Sequence, residues 1–195
     1  MSVLSQLAHR SRSKAAFSNR GDRTQDSRRT QEVCRRGRRK RGRTDDTQRT
    51  AKNPQKLKDR GFTLKLDTNG FESRMLEECL PYLDYVALDV KTSLQKYMSL
   101  GAKDTTELAR TIEILKMGKI DYEFRTTVVP GLVDTQDIHA ISELVKGAGT
   151  WALQQFVPGD TLDKRMDTVK PFPPETLNKC ADTLKSYAER IVVRT

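Results

Sequence analysis

Four short strings constrain what this chain can fold into: Leu66-Asp67-Thr68-Asn69-Gly70, Leu88-Asp89-Val90-Lys91, Phe124-Arg125-Thr126-Thr127-Val128-Val129-Pro130-Gly131 and Leu153-Gln154-Gln155-Phe156. Each closes a run of strand-forming residues, and stretches of helical period lie between them. Strands that alternate with helices in this way are βαβ units, which build a parallel sheet through right-handed crossovers. The expected class is α/β, either a doubly wound sheet or a (β/α) barrel.

Strands are predicted at residues 63–67, 85–90, 122–129 and 151–157. Leu76, Cys79, Leu80 and Leu83 recur at helical spacing after the first. Asp104 and Glu107 have the spacing of a capping box, ahead of an apolar stripe at Leu108, Ile112 and Leu115. Ile138, Ile141 and Leu144 mark a further helix, with Thr135 as its expected cap. Pro173-Pro174 is expected to open a long helix with apolar positions at Leu177, Ala181, Leu184, Ala188 and Ile191. A short last strand is expected at residues 191–194.

Charge divides the chain in two. Residues 1–55 hold sixteen Lys and Arg against five Asp and Glu, whereas residues 56–195 are close to neutral, so the formal +10 belongs to the first segment. That segment has few sizeable apolar side chains, and burial could not offset its chain entropy; disorder is the expectation there. Residues 56–195 suit one domain. No run approaches the ~18 apolar residues of a membrane span. Three scattered cysteines, Cys34, Cys79 and Cys180, argue against a disulfide framework, so a cytoplasmic location is expected.

Strand alternation assigns side chains to faces. Leu64 and Leu66 oppose Lys65 and Asp67; Val86, Leu88 and Val90 oppose Ala87, Asp89 and Lys91; Tyr122 and Phe124 oppose Glu123, Arg125 and Thr127. If the apolar faces pack on helices, Asp67, Asp89, Lys91 and Arg125 converge near the C-terminal edge of the strands, where such folds place their sites. Two acids and two bases could form a closed salt-bridge network. They equally suit a zwitterionic ligand, and burying four charges for stability alone seldom repays their desolvation.

Together the four strings resemble the radical S-adenosylmethionine activating enzymes. The likeness runs over residues 56–194 and is nearest to the activators of anaerobic ribonucleoside-triphosphate reductase, with those of pyruvate formate-lyase next. The resemblance implies a partial (β/α)6 barrel of TIM type and two cofactors, S-adenosylmethionine and a [4Fe-4S] cluster. The implied activity is reductive cleavage of S-adenosylmethionine to place a radical on a glycine of a partner enzyme. It also implies cofactor-binding roles for Asp67 and Thr68 at the methionyl carboxylate, for Asp89 and Lys91 at the same group, and for Arg125 as a strand arginine lining the site. The implied partners are a glycyl-radical enzyme and an electron donor such as flavodoxin or ferredoxin.

The departure from that pattern is large. A cluster of this type needs three thiolates in a C-x3-C-x2-C loop, and the chain has none. The family's Gly-Gly-Glu-Pro motif is also absent as written. Both belong where the arginine-rich segment stands. Regrouping possible codons of residues 40–47 by one base yields AGC, GGG, GGC, GAA, CCG, ACG and ATA, which read Ser-Gly-Gly-Glu-Pro-Thr-Ile. Arg41 lies fifteen residues before Lys56, the spacing that the family's motif keeps from the same helix end. A frameshift accounts for both content and position, although residues 1–30 yield no cysteine loop. The rival reading is a nucleic-acid-binding tail, since basic charge alone suffices for polyanion binding. It lacks stacking aromatics apart from Phe17.

Other candidates carry blander expectations. Cys79 and Cys180 are expected as small core residues. His139 is expected at the surface, and Asn69-Gly70 and Pro130-Gly131 as turns. Gln154 and Gln155 must face opposite ways.

Overall fold

The strand-forming runs are apolar on one face and largely charged on the other, which suits a sheet covered by helices on one side. A computed structural model of the chain describes residues 30–32, 54–159 and 164–195, and shows such a sheet. The elements run β1 (Thr30–Glu32), α1 (Pro54–Lys58), β2 (Thr63–Thr68), α2 (Ser73–Cys79), a 3-10 turn (Leu80–Tyr82), β3 (Tyr85–Asp89), α3 (Leu94–Ser99) and α4 (Thr106–Met117). They continue with β4 (Asp121–Val128), α5 (Thr135–Val145), β5 (Ala148–Gln155), a 3-10 turn (Lys164–Thr168), α6 (Pro174–Thr183) and β6 (Ala188–Arg194). The expectations for the arginine-rich segment, including Cys34, fall outside the described residues apart from the three-residue β1.

All five neighbouring pairs are parallel, and the strands stand in the order β1-β2-β3-β4-β5-β6. A doubly wound sheet reverses direction at a switch point. This order never reverses, so the right-handed crossovers from β2 to β6 fall on the same side. The described strands are thus wound in one direction, which is compatible with a partial (β/α) barrel. Among the described residues, one face of the sheet carries no helix.

The covered face holds the core. Leu64, Leu66, Val86, Leu88, Phe124, Trp151 and Leu153 are fully buried against Leu76, Leu108, Ile112, Leu115, Ile141 and Leu177 from the helices. Each such side chain contributes about 1.5–3 kcal/mol of transfer free energy. Trp151 brings a polar atom into this layer. Its Nε1 donates to Thr126 Oγ1 at 3.0 Å, and the Thr126 hydroxyl donates to the Val90 carbonyl at 2.8 Å, so no donor is stranded.

Three local expectations are corrected. The Asp104/Glu107 capping box does not form: Asp104 Oδ1 accepts from Thr106 N at 2.9 Å, but Glu107 turns to Ser73, accepting from its amide at 3.0 Å and its hydroxyl at 2.6 Å. Glu107 thus pins the first residue of α2 to α4. The capping box lies instead at Asp134 and Asp137, so Asp134 and not Thr135 caps α5. Finally, α6 stops at Thr183, and Ala188 and Ile191 belong to β6. Their helical spacing is overridden because a parallel strand here pairs with β5 from Ala148↔Ala188 to Gln154↔Arg194. The β-branched run Ile191-Val192-Val193 favours that outcome.

Candidate functional site

The helix-free face carries a run of charges that begins at the C-terminal ends of β2, β3 and β4. Asp89 and Arg125 are register partners on adjacent strands. Arg125 Nε donates to Asp89 Oδ1 at 2.8 Å, and Nη1 lies 2.7 Å from Asp67 Oδ1 on β2. Lys91 Nζ donates to Asp89 Oδ2 at 3.2 Å. The four residues singled out by strand parity are therefore in one cluster. Their side chains keep between 11% and 25% of their surface exposed, so a solute can reach them.

Small residues make this geometry possible. Ala87 stands level with Asp67 on one side and Glu123 on the other. Its methyl leaves the strand face open, and Arg125 crosses β3 there to reach β2. Lys91 is held from behind: its amide donates to the buried Tyr97 hydroxyl at 2.7 Å. The residues that follow Lys91 are tied down by Asp137, whose Oδ1 accepts from Ser93 Oγ at 3.0 Å and whose Oδ2 accepts from Lys96 Nζ at 2.5 Å. The loop after β2 is equally constrained. Gly70 has φ +81°, and Thr111 Oγ1 donates to its carbonyl at 2.8 Å.

Burial alone would raise the Asp89 carboxyl, but Lys91 and Arg125 outweigh it and hold it below the usual carboxylate range. Burial likewise opposes the Arg125 charge, and Asp89 and Asp67 more than restore it. Asp89 and Arg125 are thus both charged at neutral pH. Asp67 Oδ1 is nevertheless a buried oxygen with no hydrogen-bond partner, since its ion pair with Arg125 lacks hydrogen-bonding geometry. Lys65 Nζ is 3.6 Å from it, too long for a hydrogen bond.

Thr68 stands apart from the cluster. It is level with Leu88, on the helix side of the sheet, and its Oγ1 accepts from Gly70 N at 3.1 Å. Asn69 makes the expected turn, its Oδ1 accepting from Phe71 N at 3.2 Å. Gln155 donates to the Phe172 carbonyl at 2.5 Å. Cys79 and Cys180 are half-buried against the core, and His139 is exposed beside the Tyr187 ring.

A second ionic layer lies beside the first and was not singled out from sequence. Glu123, 2% exposed, accepts two hydrogen bonds from Arg194 of β6, from Nη1 at 3.1 Å and from Nη2 at 2.5 Å. Lys65 lies 5.5 Å over the Tyr85 ring, and burial together with the Glu123 carboxylate pushes the Tyr85 hydroxyl up. Parity did place Glu123 on the face of Arg125. Nothing in the sequence paired it with Arg194, seventy-one positions away.

The cluster can hold a zwitterion. Lys91 has three donors and Arg125 five, most of them unused by Asp67 and Asp89, so a ligand carboxylate has partners. The Asp67 carboxylate, already paired with Arg125 through its covered Oδ1, keeps 23% of its side chain exposed, where an ammonium group can approach it. The donor set therefore fits the amino acid end of S-adenosylmethionine. A [4Fe-4S] cluster does not fit the described residues: their two cysteines sit on different helices, and no group of three His, Cys, Asp or Glu could hold a metal ion.

No protein-family model matches the chain. It is similar to a protein of Methanocaldococcus jannaschii named a putative glycyl-radical enzyme activating enzyme, with 34% identity over 147 residues. The match covers 71% of this chain and 61% of that protein, so the chain spans about six-tenths of its relative's length. Among the described residues, no helix is long and apolar enough to cross a membrane.

Proposed function

We propose that this chain carries the cofactor-binding sheet of a glycyl-radical enzyme activating protein of the radical S-adenosylmethionine type, acting on a partner such as anaerobic ribonucleoside-triphosphate reductase. The observation that carries the reading is the Asp67–Arg125–Asp89–Lys91 cluster at the strand ends, two acids and two bases whose side chains all stay partly exposed. The similarity to a protein named for glycyl-radical enzyme activation supports it.

In this reading Lys91 and Arg125 hold the methionyl carboxylate, and Asp67 accepts from the ammonium. Asp89 keeps both cations in place. Ala87 leaves room for the ligand to lie against the strand face. When bound, S-adenosylmethionine would supply a sulfonium whose one-electron reduction breaks its C5′–S bond, releasing methionine and providing for hydrogen abstraction. The thiolate loop that delivers this electron in the family is absent from the sequence as written, so binding is expected without cleavage. An activator of this kind draws its electron from a small donor such as flavodoxin or ferredoxin in the cytoplasm.

Calorimetric titration of the full chain with S-adenosylmethionine tests the proposal. Binding is expected for the native sequence, with loss on Asp89→Asn and on Arg125→Gln. Equal affinity for adenosine, which lacks the zwitterion, would overturn the assignment of the cluster.

A further inference from the structure

The Glu123–Arg194 pair is a costly thing to build at a strand face. Glu123 is almost completely buried, and a buried carboxylate needs both a counter-charge and hydrogen bonds. Arg194 supplies both, gripping the two oxygens from the last residue of β6. Glu123 also precedes Arg125 by two residues on the same strand, so the two side chains leave β4 on the same face. Left without Arg194, the Glu123 carboxylate would be a third acid competing with Asp67 and Asp89 for one guanidinium.

We infer that Arg194 is a positioning residue for the site: by neutralising Glu123 it keeps Arg125 turned toward Asp89 and Asp67. The pair acts through charge balance, and touches no ligand. Ala87 makes the competition possible, since it is level with Glu123 on one side and Asp67 on the other and offers no side-chain barrier between them. The electrostatic coupling is consistent with this arrangement, as Glu123 is among the acids that stabilise the Arg125 cation.

The inference separates from the proposed cofactor role through a readout that needs no ligand. The Arg125 Nε–H resonance reports its bond to Asp89 in the full chain. In Arg194→Gln this resonance is expected to shift and exchange faster, as Glu123 draws the guanidinium away. The double variant Glu123→Gln/Arg194→Gln removes the competitor, and should return the resonance to its native position. Arg194→Lys retains a cation and should stay near native; it also covers the case in which Arg194→Gln does not fold. S-adenosylmethionine affinity should follow the same order, falling about tenfold in Arg194→Gln and recovering in the double variant, the coupling expected of groups in one charged network.

A resonance that stays displaced in the double variant would mean that Glu123 is not the competitor, and that result would overturn the inference. An unmoved resonance in Arg194→Gln, or a loss in Arg194→Lys as large, would overturn it too. If the native chain binds no S-adenosylmethionine while the resonances behave as described, the positioning role stands and only the cofactor assignment falls.

Discussion

Arg125 and Asp89 meet as register partners across the β3–β4 ladder, and the guanidinium Nε donates to the carboxylate at 2.8 Å. Because the strands are parallel, partners at one level point to the same side, and this pair is aimed away from the helices. The same guanidinium reaches Asp67 on β2 at 2.7 Å. One arginine therefore ties three consecutive strands together at their C-terminal ends, and holds two acids that would otherwise repel.

Removing Arg125 leaves those acids facing each other. Arg125→Gln is expected to lower stability by about 1–3 kcal/mol, less than for a fully buried pair because the acids retain some solvent. Denaturant unfolding measures it. An unchanged midpoint would show that the network contributes nothing to the fold.

Acid should unfold the chain partly through Asp89 and Asp134. Both carboxyls are lowered on folding, Asp89 because Lys91 and Arg125 outweigh its burial, and Asp134 to about 2 by the Asp137 amide and Lys96. A lowered group stabilises the fold above its unfolded value near 3.8, and the contribution is lost as pH falls through the folded value. For Asp134 that window runs from about pH 4 to about pH 2. Asp134→Asn should flatten the stability profile across it, and a profile of native steepness would remove the Asp134 contribution from the account.

Gly70 is expected to tolerate no side chain. Its φ is +81°, and a Cβ would stand 2.6 Å from Leu108 Cδ1 and 2.8 Å from Leu88 Cδ1. Gly70→Ala should destabilise by about 1–3 kcal/mol through strain and crowding, and displace the loop that follows Asp67. Thermal melting and S-adenosylmethionine titration of the variant test both parts.

Ala87→Leu should block the path of Arg125 across β3. The Arg125–Asp89 bond is expected to survive while the Arg125–Asp67 contact is lost, which a crystal structure of the variant would decide. Retention of both contacts would show that Ala87 does not control the crossing.

Anaerobic reconstitution of this chain with iron and sulfide should yield no stable [4Fe-4S] cluster and no 5′-deoxyadenosine. Sequencing the coding DNA upstream of Lys56 bears on the same point, because a second frame with a C-x3-C-x2-C loop would supply the missing thiolates. Strong cleavage by the chain as written would mean that the source of the electron has been misjudged.

Local pattern determined the strands β2 to β5 and the helices α2, α4 and α5, because period-2 and period-3.6 repeats are properties of consecutive residues, whereas the short α3 went unmarked. It also determined that Asp67, Asp89, Lys91 and Arg125 share a face, since parity needs only the strand boundaries. What lay beyond it were choices between competing partners. Glu107 could cap its own helix or hold Ser73, and it holds Ser73. Ala188 and Ile191 could extend α6 or pair with β5, and the ladder decides for the strand. Glu123 and Arg194 become neighbours only once β6 lies beside β5. Side-chain direction is set within a few bonds, whereas the pairing of distant charges depends on strand order and register, which only the folded sheet supplies.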